Sequence, residues 1–149
     1  MIINRITFKT ILPIWRDYLW KDRSSEIKPV SSITFNGDID MDIYKNEPSF
    51  FSLMNKNEIV GVISGFLTSK SDYRCRGIFI FPKYRKQSLS KMLFNSCVNE
   101  AMNEKCQRLW SLPRKSAYYA YKKFGFKRTS SWTDEYEFGP NCFVEYLIK

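Results

Sequence analysis

The chain contains no histidine among its 149 residues. This absence excludes every mechanism that needs an imidazole as a base, a nucleophile's partner or a metal ligand. Hydrolases with a Ser-His-Asp triad, Cys-His proteases, histidine-ligated zinc enzymes and histidine phosphotransfer proteins are therefore excluded. The four cysteines form no C-x-x-C pair, so neither a zinc knuckle nor a redox motif is indicated. We expect reduced thiols and no bound metal.

Long apolar runs are also lacking. None approaches the roughly 18–20 residues that a membrane-spanning helix needs. The first residues, MIINRITFKTILPIW, contain no small-residue cleavage site of the kind found in signal peptides. Together with cysteines too loosely spaced for a disulfide framework, these features predict a cytoplasmic protein that does not contact a membrane. The length predicts one domain that spans residues 1–149.

Acidic residues are scarce relative to basic ones, at 15 against 24, which gives a formal net charge of +9. Such a balance attracts anions such as nucleic acid, an acidic surface or a highly phosphorylated small molecule. The basic residues are scattered and no recognised DNA- or RNA-binding motif is present, so we expect much of the charge to lie on a solvated surface. An RNA partner stays open at this point.

The hydrophobic pattern alternates between strand and helix periodicity. It predicts strands near residues 4–8 and at 49–55, 59–68, 73–81 and 109–112, a hairpin of 129–138 with 142–148, a helix capped by Thr10, and helices at 88–104 and 116–124. This order favours an α/β (α+β) layered fold, with a mixed, largely antiparallel sheet of six to seven strands flanked by about four helices.

Residues 78–91, IFIFPKYRKQSLSK, carry the most informative pattern. An apolar strand ends at Pro82, a basic loop follows, and a helix begins at the small residues Ser88 and Ser90. The first turn of a helix offers unpaired main-chain N–H groups at the positive end of the helix dipole. Full charges are added by Arg85, Lys86 and Lys91. The segment therefore predicts a phosphate-binding site.

A second segment, AYYAYKKFGF at residues 117–126, places Tyr121 four residues before a Gly-Phe helix end. Together the two segments resemble the GNAT superfamily of N-acetyltransferases, in which a hydrophobic strand and a proline precede R-x-x-G-x-G/A, and N-x-x-A-x-x-x-Y-x-x-x-G-F follows. The matching positions are Ile78, Ile80, Pro82, Arg85, Ser88 and Ser90 in the first pattern, and Ala117, Tyr121, Gly125 and Phe126 in the second.

The resemblance implies a splay between the fourth and fifth strands that holds acetyl-CoA. Main-chain groups of Ile78, Phe79 and Ile80 would pair with the pantetheine arm, and the N–H of Ile80 would stabilise the developing oxyanion. Tyr121 would protonate the departing thiolate. The pyrophosphate would be held by Arg85, Lys86, Gln87, Ser88, Leu89, Ser90 and Lys91, with Arg114 replacing the family's asparagine and reaching a phosphate.

Two departures from the family pattern affect this expectation. Ser88 and Ser90 replace both loop glycines and put a Cβ where main chain approaches phosphate, so we expect weaker binding. Neither the fourth nor the fifth strand offers a carboxylate as a general base.

The implied activity is direct transfer of an acetyl group from acetyl-CoA to a primary amine. Arg74 and Arg76 would suit an anionic acceptor, whereas Asp40 and Asp42 would attract a cationic one. Two alternatives are an RNA-directed enzyme that acts on aminoacyl-tRNA and an inactive GNAT-like binding protein. Whether the protein is a monomer or a dimer is left open.

Overall fold

A computed structural model describes residues 1–148, in which strands and helices alternate along the chain. The strands are β1 (Ile2–Ile6), β2 (Ser49–Asn55), β3 (Glu58–Leu67), β4 (Asp72–Ile80), β5 (Arg108–Ser111), β6 (Lys127–Arg128) and β7 (Val144–Leu147). The α-helices are α1 (Phe8–Ile14), α2 (Ser90–Asn103) and α3 (Tyr118–Phe124), and shorter helical turns cover Trp15–Leu19, Met41–Lys45, Pro82–Tyr84 and Lys115–Ala117.

The strands form one sheet in the order β1-β2-β3-β4-β5-β7-β6. Neighbouring strands are antiparallel except β4 and β5, which run parallel. A parallel pair needs a long crossover connection, and here α2 provides it. The predicted fold class, mixed and largely antiparallel, is confirmed.

Helix α2 covers one face of the sheet. Its Leu93, Phe94 and Cys97 are fully buried and pack in one cluster with Leu53 of β2 and Ile63 of β3. Their spacing places them on a single side of the helix. Because full burial of a leucine or phenylalanine side chain contributes about 1.5–3 kcal/mol, this packing holds α2 firmly on the face of the sheet.

The opposite face is covered by α1 and the helical turn that follows it. Ile11 and Trp15 pack there against Phe50, Val62 and Phe79. This packing holds the indole of Trp15 against the middle of β4, where the register between β3 and β4 shifts.

A β-bulge at Gly77 interrupts β4. Between the pairs Val62–Phe79 and Ser64–Arg76, β4 contains one more residue than β3. Gly77 has φ +72, and a Cβ built on it would lie 2.5 Å from the ring of Trp15. Only glycine fits such a position. The bulge puts Arg76 and Phe79 on the same face of the sheet, although regular alternation would put them on opposite faces.

Strands β4 and β5 separate after a short stretch of pairing. Only residues 72–74 of β4 pair with residues 108–110 of β5. Beyond them β4 continues to Ile80 without a strand on that side, and β5 ends at Ser111. The two strands therefore splay apart, and main-chain groups of β4 are exposed in the gap.

The starts of α1 and α2 differ from the prediction. Thr7, and not Thr10, caps α1, because its side chain accepts the N–H of Thr10 at 3.2 Å. Helix α2 begins at Ser90, because Ser88 has φ +58, which a right-handed helix cannot include.

The predicted strand at 129–138 is wrong. The strand β6 has only two residues and ends before residue 129. The segment that follows it is irregular, and in it the N–H of Glu135 donates to the side chain of Thr133 at 3.3 Å. Serine and threonine side chains that bond to nearby main chain compete with strand pairing. Residues 142–148 do form a strand, limited to β7.

Candidate active site

A groove of 640 Å³ opens at the splay, and we call it the loop groove. It is lined by β4 from Ile78 to Ile80, by loop residues between Tyr84 and Ser90, and by the start of α3. The volume lies in the range of small-molecule and cofactor sites.

One wall of the loop groove is the free edge of β4. The N–H of Phe81 donates to Val60 O at 2.9 Å, and strict alternation then makes Phe79 the preceding residue whose main chain faces β3. The main-chain groups of Ile78 and Ile80 face the opposite way, toward the splay. Of the three residues predicted to pair with a ligand, Ile78 and the N–H of Ile80 are therefore available, whereas Ile80 O accepts the side chain of Arg85 and Phe79 faces β3.

The other wall is the loop that precedes α2. Main-chain N–H groups of residues 86–91 have no acceptor within residues 1–148. Lys86 and Ser88 both adopt left-handed backbone angles, φ +62 and +58, which turn the chain tightly before the helix begins. Together with the dipole of α2, these groups have the arrangement that favours an anion.

The charged side chains in and near this loop differ in what they contact. Arg85 is held against the end of β4, where its Nε donates to Ile80 O at 2.7 Å. Lys123 of α3 donates to the Ser88 hydroxyl at 3.0 Å and adds a cation that the sequence pattern did not indicate. Lys86 lines the groove, whereas the predicted contributors Gln87 and Lys91 do not line it.

Tyr121 projects from α3 into the base of the splay and is 3% exposed. Its ring packs against Phe94 and Phe126. Its hydroxyl lies 3.3 Å from the hydroxyl of Ser111, at the end of β5. Burial raises the pKa of the phenol far above its usual value, so Tyr121 stays protonated at physiological pH.

A second cavity, of 410 Å³, lies beside the first, and we call it the arginine cavity. Arg23, Arg74, Arg76 and Arg114 line it, and so does Tyr121. The predicted pair of arginines on β4 is thus brought to one cavity. Because Arg74 and Arg76 are buried, part of the chain's positive charge is internal and is absent from the solvated surface.

Three of these arginines are hydrogen-bonded to main-chain or side-chain oxygens. Arg76 donates to Lys28 O at 2.9 Å, and Arg114 donates to Leu19 O at 2.7 Å. Arg23 donates to Ser25 and Glu26. Burial lowers the pKa of Arg76 and, less strongly, that of Arg114. Arg114 borders both cavities, so the phosphate contact predicted for it competes with its bond to Leu19.

The two cavities meet at a small set of shared residues. Ile78 of β4 and Ala117 at the start of α3 line both, as do Leu19 and Arg114. Tyr121, one helical turn after Ala117, lies next to this junction. A reactive group that entered from the loop groove would therefore reach the arginine cavity beside the phenol.

Asp40 and Asp42 are not part of either cavity. Asp40 caps the turn at Met41–Lys45 by accepting the N–H of Asp42 at 3.0 Å. Asp42 forms an exposed ion pair with Lys45 at 3.1 Å. Both carboxylates serve this turn, so the structure does not bring them to the place where we expected an acceptor.

Sequence patterns did not indicate three residues that shape the site. Ser111 holds Tyr121, Gly77 creates the bulge, and Glu135 lines the arginine cavity. A glycine inside a strand pattern is a known sign of a bulge and could have indicated Gly77. Ser111 and Glu135 come from a strand end and an irregular loop, and no local pattern marks them.

Among residues 1–148, no cluster of three or more Cys, Asp or Glu side chains could hold a metal ion. In the same part of the chain, no helix is both long enough and apolar enough to cross a membrane.

Comparison with known proteins gives a family match. The sequence model of the Acetyltransferase (GNAT) family matches residues 12–126. No curated protein shows significant sequence similarity.

Solved structures share the fold, at least two of them over nearly the whole chain. An aminoglycoside 6'-N-acetyltransferase complexed with coenzyme A superposes with a TM-score of 0.69 at 13% identity, covering 100% of this chain and 98% of that one. A Klebsiella pneumoniae protein assigned as an acyl-CoA N-acyltransferase gives 0.68 at 16% identity, with 99% and 97% covered. The PaiA N-acetyltransferase of Thermoplasma acidophilum, in complex with coenzyme A, gives 0.58 at 15% identity, with 71% and 64% covered.

Proposed function

Because the chain belongs to the acetyltransferase (GNAT) family and is therefore an acyltransferase, we propose that it transfers the acetyl group of acetyl-CoA directly to a primary amine. The observation that carries this proposal is the meeting of the loop groove with the arginine cavity beside Tyr121. One cavity has the features of a donor site, and the other has room for an acceptor.

The residues of the loop groove fit coenzyme A. The N–H groups of residues 86–91, with Arg85, Lys86 and Lys123 nearby, suit the two negative charges of a pyrophosphate. The main-chain groups of Ile78 and the N–H of Ile80, which face the splay, suit the amides of a pantetheine arm, which would bind as an added strand. Ser88 adopts the left-handed backbone angle that glycine would adopt with less strain. Its Cβ therefore weakens phosphate binding by the loop and does not abolish it.

Acetyl-CoA supplies a thioester whose carbonyl carbon is attacked by an amine. The main chain of β4 stabilises the negative charge that develops on the carbonyl oxygen. Ile78 is better placed for this than Ile80, because Ile78 lines both cavities and Ile80 lines only the loop groove. Holding the two reactants at one junction also supplies much of the rate enhancement.

Tyr121 acts as the general acid at its phenol oxygen. Burial raises the pKa and keeps the phenol protonated until a thiolate leaves, whereas the charge of Arg74 lowers the pKa toward that of an unperturbed thiol, near 8.5, and so favours the proton transfer. The 3.3 Å contact with Ser111 is long for an O–H···O bond and is readily exchanged for a stronger one.

A base for the acceptor amine is available in the arginine cavity. Glu135 lines it, and its carboxylate has no hydrogen-bond partner within residues 1–148. Glu137 also lines it, but its carboxylate accepts bonds from Ser24 and Ser25 at 2.7 and 2.8 Å. Glu135 is therefore the carboxylate free to take the proton of an ammonium, directly or through water.

The experiment that tests the proposal combines binding with product identification. Calorimetric titration with acetyl-CoA is expected to show micromolar binding, and incubation with fractionated metabolite extract and acetyl-CoA is expected to yield an acetylated amine by mass spectrometry. Absence of acetyl-CoA binding would refute the proposal and support a GNAT-like binding protein instead. Acetylation found only on aminoacyl-tRNA would replace the small amine by the RNA-directed alternative.

A further inference from the structure

Arg74 is a buried cation without a partner in the protein. Its side chain lines the arginine cavity, the residue is 7% exposed, and its Nε and Nη1 atoms have no hydrogen-bond acceptor within residues 1–148. The guanidinium carbon lies 4.9 Å from the ring centre of Trp110 and 6.0 Å from that of Phe66. Aromatic faces stabilise the charge but accept none of its N–H groups in the way an oxygen does.

The arrangement is unusual because buried polar groups are almost always hydrogen-bonded. Leaving a buried donor unpaired costs about 1–3 kcal/mol, and more when the group is charged. The other arginines of the cavity, Arg23, Arg76 and Arg114, each donate to protein oxygens. Among residues 1–148, Arg74 is the arginine of this cavity whose side chain makes no hydrogen bond to the protein.

The charge of Arg74 is also not balanced by a protein carboxylate. Of the two glutamates that line the cavity, Glu137 is bonded to Ser24 and Ser25, and neither forms an ion pair with Arg74. Burial lowers the pKa of Arg74 to about 10, which leaves it charged at neutral pH. The cavity therefore presents a fixed positive charge to whatever enters it.

We propose that Arg74 binds an anionic group of the acetyl acceptor, so that the acceptor is a small amine that also carries a carboxylate or a phosphate. This inference rests on the proposed function, because it names the substrate class of the same site. A guanidinium recognises both anions through paired N–H donors. The cavity of 410 Å³ suits a small molecule. Glu135 lines the same cavity and can receive the amine end.

A matched set of amines tests the proposal by kinetics. Each L-amino acid is compared with its C-terminal amide, and phosphoethanolamine with ethanolamine, by the release of free thiol from acetyl-CoA. We expect the anionic member of at least one pair to have a kcat/KM at least about tenfold higher, which corresponds to one charged hydrogen bond. In Arg74→Gln this preference falls toward unity.

Arg5→Gln is the matched control. It removes the same charge from β1 at the far edge of the sheet, where Arg5 pairs with Glu100 at 2.6 Å, and it is expected to keep the preference. Equal use of neutral and anionic amines by the unaltered enzyme would overturn the proposal, and so would a preference that survives in a folded Arg74→Gln variant.

A second measurement needs neither turnover nor a variant. The Nε–H resonance of Arg74, assigned through its contact with the Trp110 ring, is followed by NMR during titration with inorganic phosphate, glycine and glycinamide. Phosphate or glycine is expected to shift it saturably, and glycinamide is expected to leave it unchanged. The anion that shifts it identifies the group, and no shift with either anion would overturn the proposal.

The two measurements separate the two proposals. Thiol release with many amines, no preference for anions and an unshifted Arg74 resonance would refute the anionic acceptor and leave acetyl transfer intact. A saturable shift of Arg74 without acetyl-CoA binding or thiol release would support the anion site and refute the proposed function.

Discussion

The phenol oxygen of Tyr121 lies 3.3 Å from the hydroxyl oxygen of Ser111, and Ser111 donates its own proton to Cys75 O at 2.7 Å. The carbonyl oxygen of Cys75 can only accept, so the single proton of Ser111 serves this shorter contact, and in the longer one the phenol oxygen of Tyr121 lies on the acceptor side. The proton of the Tyr121 phenol is therefore not committed to Ser111, which connects β5 to β4 at the splay. The two strands whose separation opens the site also hold its candidate acid.

Tyr121→Phe removes the proposed general acid and keeps the aromatic ring. We expect kcat to fall by about 10²–10⁴, because the thiolate must then leave without a positioned proton donor. The dissociation constant for acetyl-CoA is expected to stay nearly unchanged, because the hydroxyl lines the arginine cavity and not the loop groove. Steady-state kinetics and calorimetry measure the two quantities.

Tyr118→Phe is the control for this change. Tyr118 is on the same helix but packs against Trp132 and lines neither cavity, so its variant is expected to keep full activity. Full activity in Tyr121→Phe would remove the phenol from the mechanism.

Ser88→Gly relieves a strained loop residue. A left-handed backbone costs a residue with a side chain roughly 1–2 kcal/mol, and this exceeds the extra chain entropy that glycine loses on folding. We expect the free energy of unfolding to rise by about 0.5 kcal/mol and acetyl-CoA to bind more tightly. Denaturant titration and calorimetry test both.

Ser90→Gly serves as its matched control. Ser90 is the first residue of α2, so glycine there is expected to destabilise the protein by about 0.5–1 kcal/mol. Weaker acetyl-CoA binding in Ser88→Gly would show that the serine hydroxyl itself contacts the ligand.

Gly77→Ala tests the bulge. The added Cβ would meet the Trp15 ring at 2.5 Å and would also take up φ +72. We expect a loss of about 2–4 kcal/mol in the free energy of unfolding and loss of activity, since the register of Ile78 depends on the bulge. In Gly37→Ala the Cβ has 3.8 Å of space, so only the strain of φ +88 applies, about 1 kcal/mol. Equal losses in the two variants would contradict the packing argument.

Stability is expected to fall as pH rises above about 9. Burial raises the pKa of Cys75 to about 12, those of Cys106 and Cys142 to about 11, and that of Cys97 well above its usual value. Between pH 9 and 10 the thiols ionise in the unfolded chain but not in the folded protein, which favours unfolding. Each contributes up to about 1.4 kcal/mol per pH unit. Urea titrations across this range measure the slope, and a flat profile would contradict the burial of the thiols.

Local periodicity allowed much of the fold to be predicted. The bounds of β2 agree with the prediction to the residue, and the predicted α3 segment includes the observed Tyr118–Phe124. The turn residues Asn55-Lys56-Asn57 end the first segment and Gly125 ends the second, and such local signals need no contact with distant segments. The segment 129–138 has a weaker alternation, and side-chain bonds to its own main chain outweigh it.

The candidate site was predicted only where it consists of consecutive residues. The loop at 85–91 and Tyr121 were expected because two continuous segments resemble the family pattern. The burial of Arg74, by contrast, depends on Trp110 and Phe66 from other strands, and Asp40 and Asp42 are satisfied by their own turn. Such contacts between distant segments leave no periodic trace in the sequence.

The central claim is that the loop before α2 holds the pyrophosphate while the thiol end reaches Tyr121. A crystal structure of the protein with coenzyme A tests this most directly. We predict phosphate oxygens within about 3.2 Å of main-chain nitrogens of residues 86–91, and a sulfur atom within hydrogen-bond reach of the Tyr121 hydroxyl, about 3.5 Å. A ligand bound away from the splay, or a sulfur distant from Tyr121 with the pyrophosphate in place, would contradict the account.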